Sequence, residues 1–401
     1  MKQYGMSVIL CVFMILIVGC SGTTPETKAP SANEEQASSP ELDAKLAAFG
    51  KTFETSFKAD LGTAIDRYID TQEVLRSIKS NPVYRNLSMK DSNYLGQKLT
   101  NTAYKDELKK EFATIAAGIT LTYSGIVRQG QKSSVVFRLE NEDEDIDYWV
   151  ITCAVSAEGE VTPDSLYIAT VGGNYNDYLA RTLLDHFLAS PGFVSRLTGK
   201  TNNELKKKLE IVGRMGKAMK AGNFDQAISI YETEGSDKYK YLPLDLLYLR
   251  VLRAHDANIT DAQLKSETDK AENAVKTIKS YKPDFIGGEL FLVERYIAMQ
   301  DVDKGKATLL QLRSKVGEDA YLDYFEGLLY LRSNPNNAMS LFKSAGRKGL
   351  RSRAYLVAYY SLMKKTPGTS EAAMDKILET GTSLYGPTFK QMAVKNATSG
   401  K

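Results

Sequence analysis

The chain reads as an α+β region followed by an all-α region, and three observations predict that division. From residue 42 onward apolar residues recur three and four apart, the period of an amphipathic helix, and a second such run spans 88–116. From 118 to 171 four runs rich in β-branched and aromatic residues take over, with turn-formers between them. From about 201 to 395 the helical period returns and no strand pattern interrupts it.

The N-terminal segment stands apart. Lys2 is followed by uninterrupted apolar sequence from Val8 to Val18. A permanent bilayer-spanning helix needs about 20 such residues, so 1–19 reads as a cleaved secretory signal peptide. After Cys20, residues 21–40 contain no large apolar side chain, and Pro, Ser, Thr, Ala and Glu dominate. Nothing there nucleates a core, so 20–40 reads as a disordered tether with a reach of about 25 Å.

In the first folded region, 41–198, the opening helix is marked by Leu42, Leu46, Phe49, Phe53, Phe57 and Leu61. Strands are predicted at 119–128, 133–140, 146–156 and 164–171, with loops short enough for an antiparallel meander. A helix at about 175–189 closes the region. In the second, 201–395, breaks at Gly222-Asn223, Pro283, Gln300-Asp301, Gly317-Glu318, Asn334-Pro335 and Pro367-Gly368 divide the chain. They delimit five helix–turn–helix units near 207–234, 243–279, 285–316, 319–348 and 351–383, a spacing that predicts an α-solenoid.

Three resemblances add to this reading. Ile17-Val18-Gly19-Cys20 resembles the lipobox of bacterial lipoproteins, which implies an acylated, palmitate-bearing Cys20 at the mature N-terminus. Ser21 then resembles cargo sorted to the outer membrane, if the host is Gram-negative. Val135-Val136-Phe137-Arg138, then Tyr148-Trp149-Val150, then a strand ending at Gly172-Gly173 resemble the NTF2-like fold, a cone of helices on a bent sheet. Ala221-Gly222-Asn223-Phe224 with Ala227 and Tyr231 is similar to the second half of a tetratricopeptide repeat, and Gly327, Tyr330, Ala338, Phe342 and Ala345 partly agree. Arg214 and Met215 depart from that pattern, and no unit keeps the closing proline.

The chemistry-bearing residues are few. His186 and His255 fall in different predicted regions, with His255 expected to face solvent, and no Gly-x-Ser-x-Gly elbow is present. Once Cys20 is acylated and the signal removed, Cys153 is the only free thiol, expected as a small buried hydrophobe. Glu140 to Asp147 holds six carboxylates in eight residues but lacks the alternation and central glycine of a calcium loop, so it reads as a solvated hairpin tip. Gly172-Gly173-Asn174 reads as a turn rather than an anion cradle. No catalytic, cofactor-binding or metal site is assigned, and the sequence indicates no cofactor.

Charge narrows the partners. Residues 1–200 carry 20 basic and 25 acidic side chains, and residues 201–401 carry 32 and 24. That excess is too diffuse over the second half for a nucleic-acid footprint, so no nucleic acid is expected. The resulting expectation is a lipid-anchored, exported cell-envelope protein, not an enzyme, that binds an unidentified protein or peptide in a groove of tetratricopeptide-like repeats. Tyrosine-rich helices at Tyr239–Tyr248 and Tyr355–Tyr360 are candidates to line it, or else to fill inter-repeat packing. The alternative is a small-molecule-binding or enzymatic NTF2-like domain that the repeats merely position.

Overall fold

The structure is a computed structural model that describes residues 40–59, 71–80, 118–129, 132–141, 145–156, 160–177, 200–235, 240–255 and 259–398, with single residues 89, 93, 97 and 180. The signal segment, Cys20, the tether, nearly all of the 88–116 run, His186 and most of the 175–189 helix lie outside the described residues. The chain divides into two compact units, residues up to Gly288 and residues Glu289–Lys401, the latter joined by 144–146.

The first unit mixes helices with a sheet. Helix α1 (Pro40–Ala59) and helix α2 (Thr71–Ser80) precede strands β1 (Ile119–Gln129), β2 (Lys132–Asn141), β3 (Ile146–Val155), β4 (Val161–Ile168) and the short β5 (Gly173–Asn174). The strands lie in chain order, β1-β2-β3-β4-β5; the first four come from the four runs, and β5 is a fifth that the sequence does not predict. Residues Val135 to Leu139 of β2 are all buried, as a strand covered on both faces requires. Helix α1 buries Leu46, Gly50, Phe53 and Phe57 at spacings of three and four. The Phe53 ring sits 5.0 Å from Phe137, and Phe57 meets Trp149 edge-on at 5.8 Å. Gly50 permits this approach, because a Cβ there would lie 2.5 Å from the Tyr123 ring and 2.9 Å from Val135.

β4 departs from its expected span. It starts three residues early and ends three early, with Pro163 opposite Cys153 where the register shifts. A bulge tolerates a residue that cannot donate to the ladder. Residues 169–171 form a turn instead, because the Gly172 amide bonds back to Ile168 and Ala169 at 3.0 and 3.1 Å, with Gly172 at φ +68°.

Four helices continue the same unit: α3 (Lys200–Lys220), α4 (Phe224–Ile230), α5 (Leu242–His255) and α6 (Asp261–Tyr281). α4 runs into a π-helical turn, Tyr231–Gly235. The sheet and these helices touch directly. The Tyr167 hydroxyl donates to the Asp284 carbonyl (2.9 Å), and a Cβ on Gly287 would lie 2.5 Å from the Ala169 carbonyl oxygen.

Helix α7 (Gly287–Met299) leads into the second unit, which continues with α8 (Val302–Val316), α9 (Ala320–Tyr330), α10 (Pro335–Arg347), α11 (Arg353–Lys365), α12 (Glu371–Tyr385) and α13 (Thr388–Thr398). The breaks fall where the sequence places them, and side-chain caps explain why. Asp301 accepts from the Lys304 amide (3.1 Å), Asp319 from Tyr321 (2.9 Å) and Asn334 from Asn337 (3.1 Å), the last with Pro335 at the first turn. Helix α13 stands outside the five expected pairs. Gly386, at φ +80°, ends α12, and Phe389 then packs on Gly381, where no side chain would fit. No described helix is long and apolar enough to cross a membrane.

Candidate functional site

The concave feature with the most distinctive chemistry lies wholly within the second unit. It is an open groove of about 620 Å³ along α10, α11 and α12. α11 supplies its floor through the half-buried Tyr359, with Tyr355, Leu356 and Met363 buried around it. α10 contributes Lys343, Gly346 and Arg347, and α12 contributes Lys376 and Ile377 among others. Arg351, in the α10–α11 connection, completes the cationic rim.

Local sequence holds these groups in place. Ser352 caps α11 by accepting from the Tyr355 amide (3.4 Å), after Gly349 at φ +90° has turned the chain out of α10. Arg351 lies over the end of α10 and donates to the Gly346 and Leu350 carbonyls at 2.9 and 2.6 Å, where a cation also suits the helix dipole. The Tyr355 hydroxyl donates to the Phe342 carbonyl (2.9 Å) and occupies the space that a side chain on Gly346 would need. Beneath the floor, Phe342 is fully buried, with the rings of Tyr324, Tyr355 and Tyr359 at 5.6, 6.1 and 6.0 Å. Burial raises the pKa of both Tyr355 and Tyr359, and Arg347 near Tyr359 acts in the opposite direction. Both phenols are therefore neutral hydrogen-bonding groups at any ordinary pH.

Of the two tyrosine-rich stretches, 355–360 places the half-buried Tyr359 on the groove, while Tyr355 beneath it and Tyr360 are buried. In the other stretch, Tyr239 lies outside the described residues, and Tyr241 and Tyr248 are buried in packing. Tyr248 stacks on Tyr231 at 3.8 Å. Close by, Asp245 is fully buried and accepts from the hydroxyls of Tyr231 (2.6 Å) and Tyr281 (2.5 Å). Burial raises its pKa to about 6, and the tyrosine hydrogen bonds limit the rise. This cluster joins the π-helical turn, α5 and α6; sequence periodicity gives no sign of it, because an aspartate inside an apolar helix looks like a surface position.

The other singled-out residues are structural where they are described. His255 is a correction. It does not face solvent, since its side chain is only 14% exposed and its Nδ1 lies 2.7 Å from the buried Glu267 carboxylate. Helix α6 brings Glu267 over the histidine. Cys153 is buried in β3, its thiol pointing to the Ile151 carbonyl (3.7 Å), and burial pushes its pKa up to about 12. In the acidic run, Glu140 pairs with Arg138 (2.8 Å), and Asp147 accepts from the amide and hydroxyl of Thr170 at 3.0 and 2.6 Å. Asp147 thus ties β3 to the turn after β4. Among the described residues no group of His, Cys, Asp and Glu is placed to hold a metal ion. Only Gly172 of the glycine pair lies in the turn; Gly173 and Asn174 form β5, paired with Ile168 and Tyr167, and Asn174 accepts from the Asn176 amide (2.9 Å).

No family model matches the chain, and neither a curated protein nor a solved structure matches it.

Proposed function

We propose that this protein is a lipid-anchored, non-enzymatic interaction module of a bacterial cell envelope, held to a membrane through an acylated Cys20. The groove along α10–α12 is the surface that takes its partner. In this reading the sheet and its covering helices are an NTF2-like domain, and the paired helices after residue 200 are tetratricopeptide-like repeats. The observation that carries it is the groove itself: an open concavity with Tyr359 on its floor, within the size range of about 300–1,000 Å³ typical of ligand sites. Shape and apolar floor favour binding, and no constellation of nucleophile, base and orienting group accompanies them.

Two experiments test the two halves of the proposal. Cys20→Ala is expected to release or mislocalise the protein; a variant that still partitions with membranes as mature, signal-cleaved protein argues against the anchor. Affinity capture from crosslinked membranes, with the full chain and with Tyr359→Ala/Ile377→Ala, tests the groove. The double substitution is expected to lose the captured partners, and an unchanged partner set argues against the groove.

A further inference from the structure

The groove walls share one sign of charge. Lys343, Arg347, Arg351 and Lys376 line it, and no Asp or Glu does. Lys343, Arg347 and Lys376 are exposed, and among the described residues none of the four forms an ion pair. Three other cations of the same unit are matched by carboxylates. Arg313 is held by Asp323 and Glu326 at 3.0 and 2.9 Å, Lys348 by Asp323 at 2.9 Å, and Lys315 by Glu289 at 2.6 Å.

The sequence shows the same concentration. Residues 335–401 carry 11 basic and 3 acidic side chains, whereas 201–334 carry 21 of each. The entire excess of the chain's second half therefore falls on the segment that builds the groove. Lys343 and Arg347 stand on α10, Lys376 stands on α12, and the apolar floor of α11 runs between them.

We propose that the groove takes an acidic peptide segment of a partner protein, with apolar side chains on the floor and carboxylates toward the two cationic walls. This rests on the groove being the interaction surface. Cations spread over two walls suit several carboxylates spaced along one chain better than they suit a single small anion. A flat bilayer does not reach a floor recessed between helices. Exposed ion pairs contribute little each, so the floor supplies most of the affinity and the charges supply steering and selectivity.

The test is selection from a random dodecapeptide display library on the immobilised full chain, followed by binding of the selected peptides to two variants. One is Lys343→Glu/Arg347→Glu/Lys376→Glu, whose three sites are solvent-exposed, with folding checked by circular dichroism. The other is Tyr359→Ala. The expected result is a set of net-negative peptides with interspersed apolar residues. Their affinity should fall by about tenfold or more in the triple variant, weaken with added salt, and fall in Tyr359→Ala.

Neutral or basic peptides that are lost only in Tyr359→Ala overturn the charge inference and leave the groove reading standing. Acidic peptides that bind both variants as well as the parent overturn both, as does a library that yields no binder. Binding to phosphatidylglycerol vesicles that the triple variant abolishes, with no selected peptide sensitive to it, overturns the proposal in favour of a lipid surface.

Discussion

Replacing Asp245 by Asn should remove a specific part of the protein's pH dependence. Asp245 is fully buried, and its pKa in the folded chain is about 6. An aspartate in an unfolded chain titrates near 3.9, so the two states differ by about two units, or about 3 kcal/mol. The folded state binds this proton more tightly than the unfolded state does. The group therefore costs stability above about pH 6, and that cost is relieved as pH falls. Integrated over the titration, the gain is about 1 kcal/mol by about pH 5 and approaches about 3 kcal/mol near pH 4.

Asn keeps the shape, accepts from one tyrosine hydroxyl through its single carbonyl oxygen and donates its NH2 to the other hydroxyl oxygen, and it carries no charge. Urea unfolding followed by the fluorescence of Trp149, the single tryptophan and part of the same compact unit, isolates the effect. The parent is expected to gain stability relative to Asp245→Asn as the pH is lowered from about 7.5 to about 5. Using the difference cancels other carboxylates, including Asp147, whose pKa burial also raises to about 6. Equal pH slopes in parent and variant would refute the reasoning.

Further outcomes follow from the packing. Cys153, buried and with its pKa pushed up to about 12, should resist alkylation at about pH 8 until the protein is unfolded in urea; prompt labelling of the native protein would contradict its placement in β3. Gly50→Ala should destabilise the first unit by about 1–2 kcal/mol in the same urea assay. The added methyl would meet Tyr123 and Val135, and that overpacking outweighs the gain in helix propensity. Phe342→Ala should cost about 3–5 kcal/mol in the unfolding of the second unit, measured by far-ultraviolet circular dichroism, because it empties the space beneath three tyrosine rings.

Much of the fold was legible because period and punctuation agree. The β-branched runs between 119 and 168 became strands in a meander, and Gly222, Gln300-Asp301, Asn334-Pro335 and Pro367-Gly368 mark real helix ends. Misreadings arose where one particular bond or contact, local or from another element, decides. The turn at 169–171 depends on the Gly172 amide, α13 on the fit of Phe389 against Gly381, and the burial of His255 on Glu267 arriving from the next helix.

The groove was half legible. Tyr355 and Tyr359 stood out as a tyrosine-rich helix, but the cations that face them come from α10, α12 and a connection. Averaging charge over the second half of the chain hid their concentration. Asp245 was not singled out, because nothing local in the sequence announces two tyrosine donors from separate elements.

The most direct test of the groove as an interaction surface is site-specific photocrosslinking of the full chain in the cell. A photoreactive residue replaces Tyr359 on the groove floor in one strain, and in another it replaces Leu310, which is 70% exposed on α8 of the same unit. The account expects a discrete protein adduct from position 359, diminished by Lys343→Glu/Arg347→Glu/Lys376→Glu, and none from position 310. No adduct at 359, or the same adduct from both positions, would contradict it.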